Sequence, residues 1–223
     1  MAYLYWLRHF GENAPDPPNV GVLVAERVTF RANFGKGGTQ AFFQIDRKPM
    51  ELSEVQLQLR WLQHSRATLL ALVEDLPQSA LQWGIPGIPG RPLGKRGGGW
   101  TVDVYLRHIA DAEKWYMRQF WSRLPALTRS RTTFDRLDFV RRQALEVVGR
   151  PSPEDLNRVA EAAGEPWTLR KVLRRMLYHE RYHMRSIARL LVLGEQRRPE
   201  WITRSLGIPA LFYPPTHEGT ERH

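Results

Sequence analysis

No cysteine occurs anywhere in the chain. That excludes disulfides, thiolate metal ligands and a cysteine nucleophile, and it fits a cytoplasmic protein. No apolar run approaches the ~20 residues that a membrane-spanning helix needs. The N-terminus Met1-Ala2-Tyr3-Leu4-Tyr5-Trp6 lacks a basic stretch leading into a long apolar one, so no signal peptide and no membrane partner are expected. A phosphate loop is missing too: Gly94-Lys95 is followed by Arg96, and no glycine stands five positions before Gly94. Acidic residues are outnumbered, 23 against 33 basic ones, for a net charge of +10. That surplus raises nucleic acid as a partner. The arginines are spread along the whole chain, however, and a general bias of composition accounts for them better.

At 223 residues the chain has room for one substantial domain with a small appendage. Residues 1–50 differ from the rest. Val20–Phe30 and Gln40–Ile45 are rich in valine and phenylalanine, with Gly35-Lys36-Gly37-Gly38 between them, and read as two short strands or extended segments. From Leu52 the pattern turns helical. Helix one carries Leu52, Val55, Leu59, Leu62, Leu69, Val73 and Leu76 on one stripe, with Arg66 as its polar break; Ser53 and Gln56 suggest a capping box, and Pro77 ends the run. Residues 84–99 form a glycine- and proline-rich loop. Helix two runs from an N-cap at Thr101 to about Leu124, helix three from Thr133 to Val148, and helix four from Thr168 to just before Gly194. Trp100-Thr101-Val102 opens helix two and Trp167-Thr168-Leu169 opens helix four, a faint repeat that suggests two related helical hairpins. These patterns divide the chain into an N-terminal extension (1–50), an all-α four-helix bundle (51–194) and an irregular tail (195–223).

Within helix four stands His179-Glu180-Arg181-Tyr182-His183. Residues four apart share a helix face, so both imidazoles can serve one metal ion. The letters also spell the metallopeptidase signature H-E-x-x-H. A third ligand must come from elsewhere. His217 and His223 lie in the tail, His9 lies outside the bundle, and His64 is off the apolar stripe of helix one. His108 is the best candidate, two turns into helix two with Val104, Tyr105, Ala112 and Trp115 on its side. Bundle sites are built from inward side chains of facing helices, so His108, His179 and His183 can meet. The peptidase reading fits poorly. Ser186 and Arg189 stand where an extended zinc motif needs glycine and histidine, Glu195 and Glu200 come too soon after the helix for a later glutamate ligand, and Glu180 is free to pair with an arginine.

Gly99-Trp100-Thr101-Val102 leading to Leu106-Arg107-His108-Ile109-Ala110-Asp111-Ala112-Glu113, with Trp167-Thr168-Leu169-Arg170 leading to the histidine pair, resembles the DinB-like (YfiT-like) metalloenzyme family from about Leu52 to Leu193. That resemblance implies an up-down-down-up bundle with three histidine ligands, which fall on His108, His179 and His183. It also implies chemistry like that of metal-dependent thiol transferases and thiol-using isomerases, with a low-molecular-weight thiol as cofactor, and a homodimer, since dimers are common in the family. Ala2–Glu12 with Val20–Val28 resembles the trailing part of a HicB-like module.

The expected protein is thus a metalloenzyme binding Zn, Ni or Fe, which activates a thiol or water nucleophile for transfer to a small-molecule substrate. Tyr105, Asp111, Trp115 and Tyr182 are candidates to line the pocket or to hydrogen-bond the ligands. No catalytic residue is assigned. Two rival readings remain: a non-catalytic, stress-related metal-binding bundle, and a nucleic-acid binder using Arg170, Arg174, Arg181, Arg185 and Arg189 of helix four. The favoured account of those arginines is a solvated face.

Overall fold

The computed structural model describes residues 2–16, 19, 21, 23–27, 41–85, 100–121, 124 and 132–194. Along these run α1 (Ala2–His9), a 3-10 turn (Gln44–Arg47), α2 (Leu52–Val73), α3 (Gln78–Leu81), α4 (Val102–Phe120), α5 (Thr133–Val148), a hairpin of β1 (Ala160–Ala162) and β2 (Glu165–Trp167), and α6 (Leu169–Leu193). The expected tail 195–223, with His217 and His223, lies outside the described residues, as does most of the 84–99 loop.

Threonine starts three of the four long helices, because its hydroxyl satisfies an amide that the first turn leaves unpaired. Thr101 Oγ1 accepts from the Val104 amide at 3.3 Å and Thr168 Oγ1 from the Lys171 amide at 3.3 Å. Thr132 and Asp135 exchange hydrogen bonds at 3.0 Å in a capping box. The capping box expected at Ser53 is absent. Glu51 is the N-cap of α2 and makes no side-chain cap, since Ser53 already lies inside the helix. Helix two ends at Phe120 rather than Leu124.

Side-chain partners set the helix directions. Asp103, Asp111 and Glu113 of α4 meet Thr133, Arg136 and Arg141 of α5 in rising order, so these two helices are parallel. Arg66 of α2 donates to the Leu137 carbonyl and Arg141 to that of Leu62, an inverted order that makes α2 and α5 antiparallel. Tyr105, His108 and Tyr116 of α4 meet His183, His179 and Arg175 of α6, again inverted. The bundle is therefore up-down-down-up.

Leu62, Leu69, Leu72, Leu106, Ile109, Met117, Phe120, Leu137, Val140, Trp167 and Val172 form the sealed core. Each large side chain buried there contributes ~1.5–3 kcal/mol. Arg66, the polar break in the stripe of α2, is buried among them. Its Nε donates to Glu180 Oε2 at 2.8 Å and its Nη2 to Glu113 Oε2 at 2.8 Å. Arg141 donates to Glu113 Oε1 at 2.7 Å and to Glu180 Oε2 at 3.1 Å. Each of the four bundle helices supplies one member of this square, with two charges of each sign. Burial lowers the pKa of Arg141, but Glu113 and Glu180 outweigh it and raise the pKa above the usual arginine value. Burial likewise pushes Glu180 up, and Arg141 and Arg66 overcome it, holding its carboxyl below the usual range.

No strand forms among the described residues of 1–50, which leaves the extended alternative there. Residues 41–43 lead into the 3-10 turn, and part of Val20–Phe30 lies outside the described residues. The turn is held by α6. Asp46 is fully buried and accepts from Arg174 Nη2 at 2.5 Å, while Arg170 Nη2 donates to the Pro49 carbonyl at 2.9 Å. The α1 helix packs nearby. Trp6 Nε1 donates to Thr68 Oγ1 at 3.0 Å, and the Arg181 guanidinium lies 4.0 Å from the Trp6 ring centre. Three of the five arginines expected on a solvated face of α6 are thus used inside the molecule.

The small sheet lies between α5 and α6. Its turn residues Ala163 and Gly164 have φ of 56° and 75°, the positive values that a two-residue hairpin requires. The hairpin buries Trp167 and ends at Thr168, the cap of α6.

Candidate metal centre

His108 comes from α4, and His179 and His183 from successive turns of the antiparallel α6. Their Nε2 atoms converge. That of His179 lies 3.1 Å from that of His108 and 3.1 Å from that of His183. One nitrogen from each ring falls within 4.8 Å of the other two. Nitrogens bound at about 2.1 Å to one ion, at angles between octahedral and tetrahedral, are about 3–3.4 Å apart. Two of the three edges have that length.

Charge favours the same use. Burial, reinforced by the neighbouring His183, His108 and Arg175, pushes the pKa of His179 down to about 2. Burial and His108 bring His183 down to about 4. His108 is lowered by burial, with Asp111 opposing. All three rings are therefore neutral at pH 7 and keep the lone pairs that a metal needs. Three neutral nitrogens on two helices could thus hold a metal ion between them.

Aromatic rings pack around the three histidines. Trp100, just before α4, stacks parallel to His183 within 10° at 6.1 Å and stands edge-on to His108 at 5.3 Å. Tyr105 lies 5.5 Å from His183, and Tyr182 meets the same ring edge-on at 5.2 Å. Tyr116 packs edge-on to His179 at 5.6 Å, and its hydroxyl accepts from Arg175 Nη2 at 3.2 Å. His183 Nδ1 is buried without a hydrogen-bond partner, so ring packing rather than a hydrogen bond holds this imidazole.

Of the four residues expected around the pocket, Tyr105 and Tyr182 lie against His183. Asp111 points to Arg136, whose Nε donates to it at 2.9 Å. Trp115 packs on Tyr116 and Trp167 and has no ring contact with the histidines. Sequence reasoning did not assign Trp100, Tyr116 or Arg175 to the site. Trp100 was visible in the repeated Trp-Thr opening of helices two and four; nothing in the sequence singled out the other two. His64 is engaged elsewhere, 3.0 Å from Glu12 Oε1. Glu180, the base of a peptidase motif, points into the core, where Arg66 and Arg141 hold it.

Among the described residues no helix is long and apolar enough to cross a membrane. No curated protein and no solved structure matches the chain. The family model of the DinB superfamily matches residues 61–187, more than half of the chain, including the three histidines and all four members of the buried ion square, so the chain belongs to the DinB superfamily.

Proposed function

We propose that this protein is a metal-dependent enzyme that activates a thiol or water nucleophile for transfer to a small electrophilic substrate. The observation that carries this reading is the convergence of three neutral Nε2 atoms, with 3.1 Å between His179 and each of the other two. Three protein nitrogens leave one or more coordination positions for other ligands, as catalytic sites do. A bound divalent cation would supply a Lewis acid there, lowering the pKa of a thiol or water. With no cysteine in the chain, the thiol would come from a low-molecular-weight cofactor. His108, His179 and His183 would hold the ion, while Trp100, Tyr105 and Tyr182 shield it from bulk water. Tyr105 has its pKa raised by burial, so its hydroxyl stays protonated and able to donate a hydrogen bond. The nucleic-acid alternative loses support because Arg170, Arg174 and Arg181 are engaged within the molecule.

Elemental analysis of untagged protein tests the metal. About one ion per chain is expected in the wild type, and little in His108→Ala or His183→Ala. Substoichiometric metal in the wild type that does not fall further in either variant would overturn the reading. Turnover of a model electrophile by the metallated protein, with several low-molecular-weight thiols and with water, then tests catalysis.

A further inference from the structure

The two helices that carry the histidines also carry exposed rings. Three exposed aromatic side chains occur among the described residues, Trp115, Tyr178 and Tyr182, and all three belong to the two helices that supply the histidines. Tyr182 is 54 % exposed while touching His183, and Tyr178 stacks against it at 6.0 Å and 21°. Trp115 lies two turns along α4 from His108. Around His183 itself, Trp100 and Tyr105 form a pair 4.7 Å apart. Exposed aromatic clusters are costly for a soluble surface and mark ligand-binding sites.

The nearby carboxylates are turned elsewhere. Asp111 faces Arg136, and Glu180 faces Arg66 and Arg141. Arg175 is buried, with its guanidinium 5.5 Å from the Tyr116 ring centre and 5.3 Å from that of Tyr178. The described surroundings of the histidines thus present mainly ring faces.

We infer that the substrate is a flat aromatic or conjugated small molecule, which lies against Trp100 and Tyr182 while one donor group reaches the three histidines. This inference rests on the metal reading above and adds the class of substrate to it. Aromatic contact at such a rim supplies affinity beyond the area it buries.

Two hydroxamates with the same metal-binding group test it. Benzohydroxamate carries a ring and acetohydroxamate only a methyl group. Calorimetric titration of the metal-loaded wild type is expected to show benzohydroxamate binding about tenfold more tightly or better. In Tyr182→Ala and Trp100→Leu, each confirmed by elemental analysis to hold its metal, that preference is expected to shrink severalfold while acetohydroxamate affinity is retained. Should Trp100→Leu lose its metal, the exposed Tyr182 carries the test. Equal affinity of the two hydroxamates for metal-loaded wild type, or a preference that both variants keep, overturns the aromatic inference and leaves the metal centre standing. Wild-type protein that takes up no metal overturns both.

Discussion

Glu180 and His179 are sequence neighbours with opposite fates. His179 turns to the three-histidine site and Glu180 to the centre of the bundle, because adjacent helical residues are about 100° apart. The spelling H-E-x-x-H suggests a catalytic base, but Glu180 is held by two guanidinium groups in a sealed square. Removing its charge leaves two buried arginines with one carboxylate. Glu180→Gln is therefore expected to destabilise the fold by about 3–5 kcal/mol, read as a lower urea midpoint. Below that midpoint the variant should still bind metal, since Glu180 does not face the ion; full stability with lost metal would contradict this assignment. The type and helical position of Arg66, Glu113, Arg141 and Glu180 are plain in the sequence. Their pairing is not, because Arg66 meets Glu180 across 114 positions of sequence.

Each long helix was legible from its apolar spacing, and α5 has the bounds its pattern predicts. The ends that moved are those where local signals compete: Ser53 resembles a cap but sits inside α2, and α4 stops four residues early. The β1–β2 hairpin escaped notice because three-residue strands carry too little alternation to register, and its turn places an alanine at positive φ. The Trp-Thr repeat has a physical meaning. In both copies threonine caps a helix that carries ligands, and tryptophan packs beside or beneath the histidine site. Thr168→Ala should cost about 1 kcal/mol in chemical denaturation with an unchanged denaturant slope. A cost near zero would mean that the cap contributes nothing to anchoring α6.

Across the whole molecule, the histidine cluster makes stability depend on pH. In the unfolded chain each ring titrates near 6.5, whereas folding lowers His183 to about 4 and His179 to about 2. Between those limits the unfolded chain takes up protons that the folded rings refuse, so lowering the pH favours unfolding. Metal-free protein should therefore lose stability steadily as the pH falls from about 6.5 towards 4. A His179→Phe variant should show a shallower slope over the same window in thermal melts. An identical slope would show that His179 titrates alike in both states. The N-terminal extension belongs to this scale as well. Buried Asp46 draws Arg174 inward, and Trp6 takes Arg181, so part of the chain's positive charge serves to attach α1 and the 3-10 turn to the bundle.

By itself the sequence determined the four helices, their apolar faces, the absence of a cysteine ligand or nucleophile and the three histidines, because period, capping and residue type act over a few neighbouring positions. Tertiary structure decided which groups meet. It brought His108 within 3.1 Å of His179 across 71 positions, sent Glu180 into an ion square, and engaged three of the five arginines of the expected face. Those outcomes depend on helix direction and on burial, which trade desolvation against pairing among residues far apart in the chain. No local pattern encodes that balance.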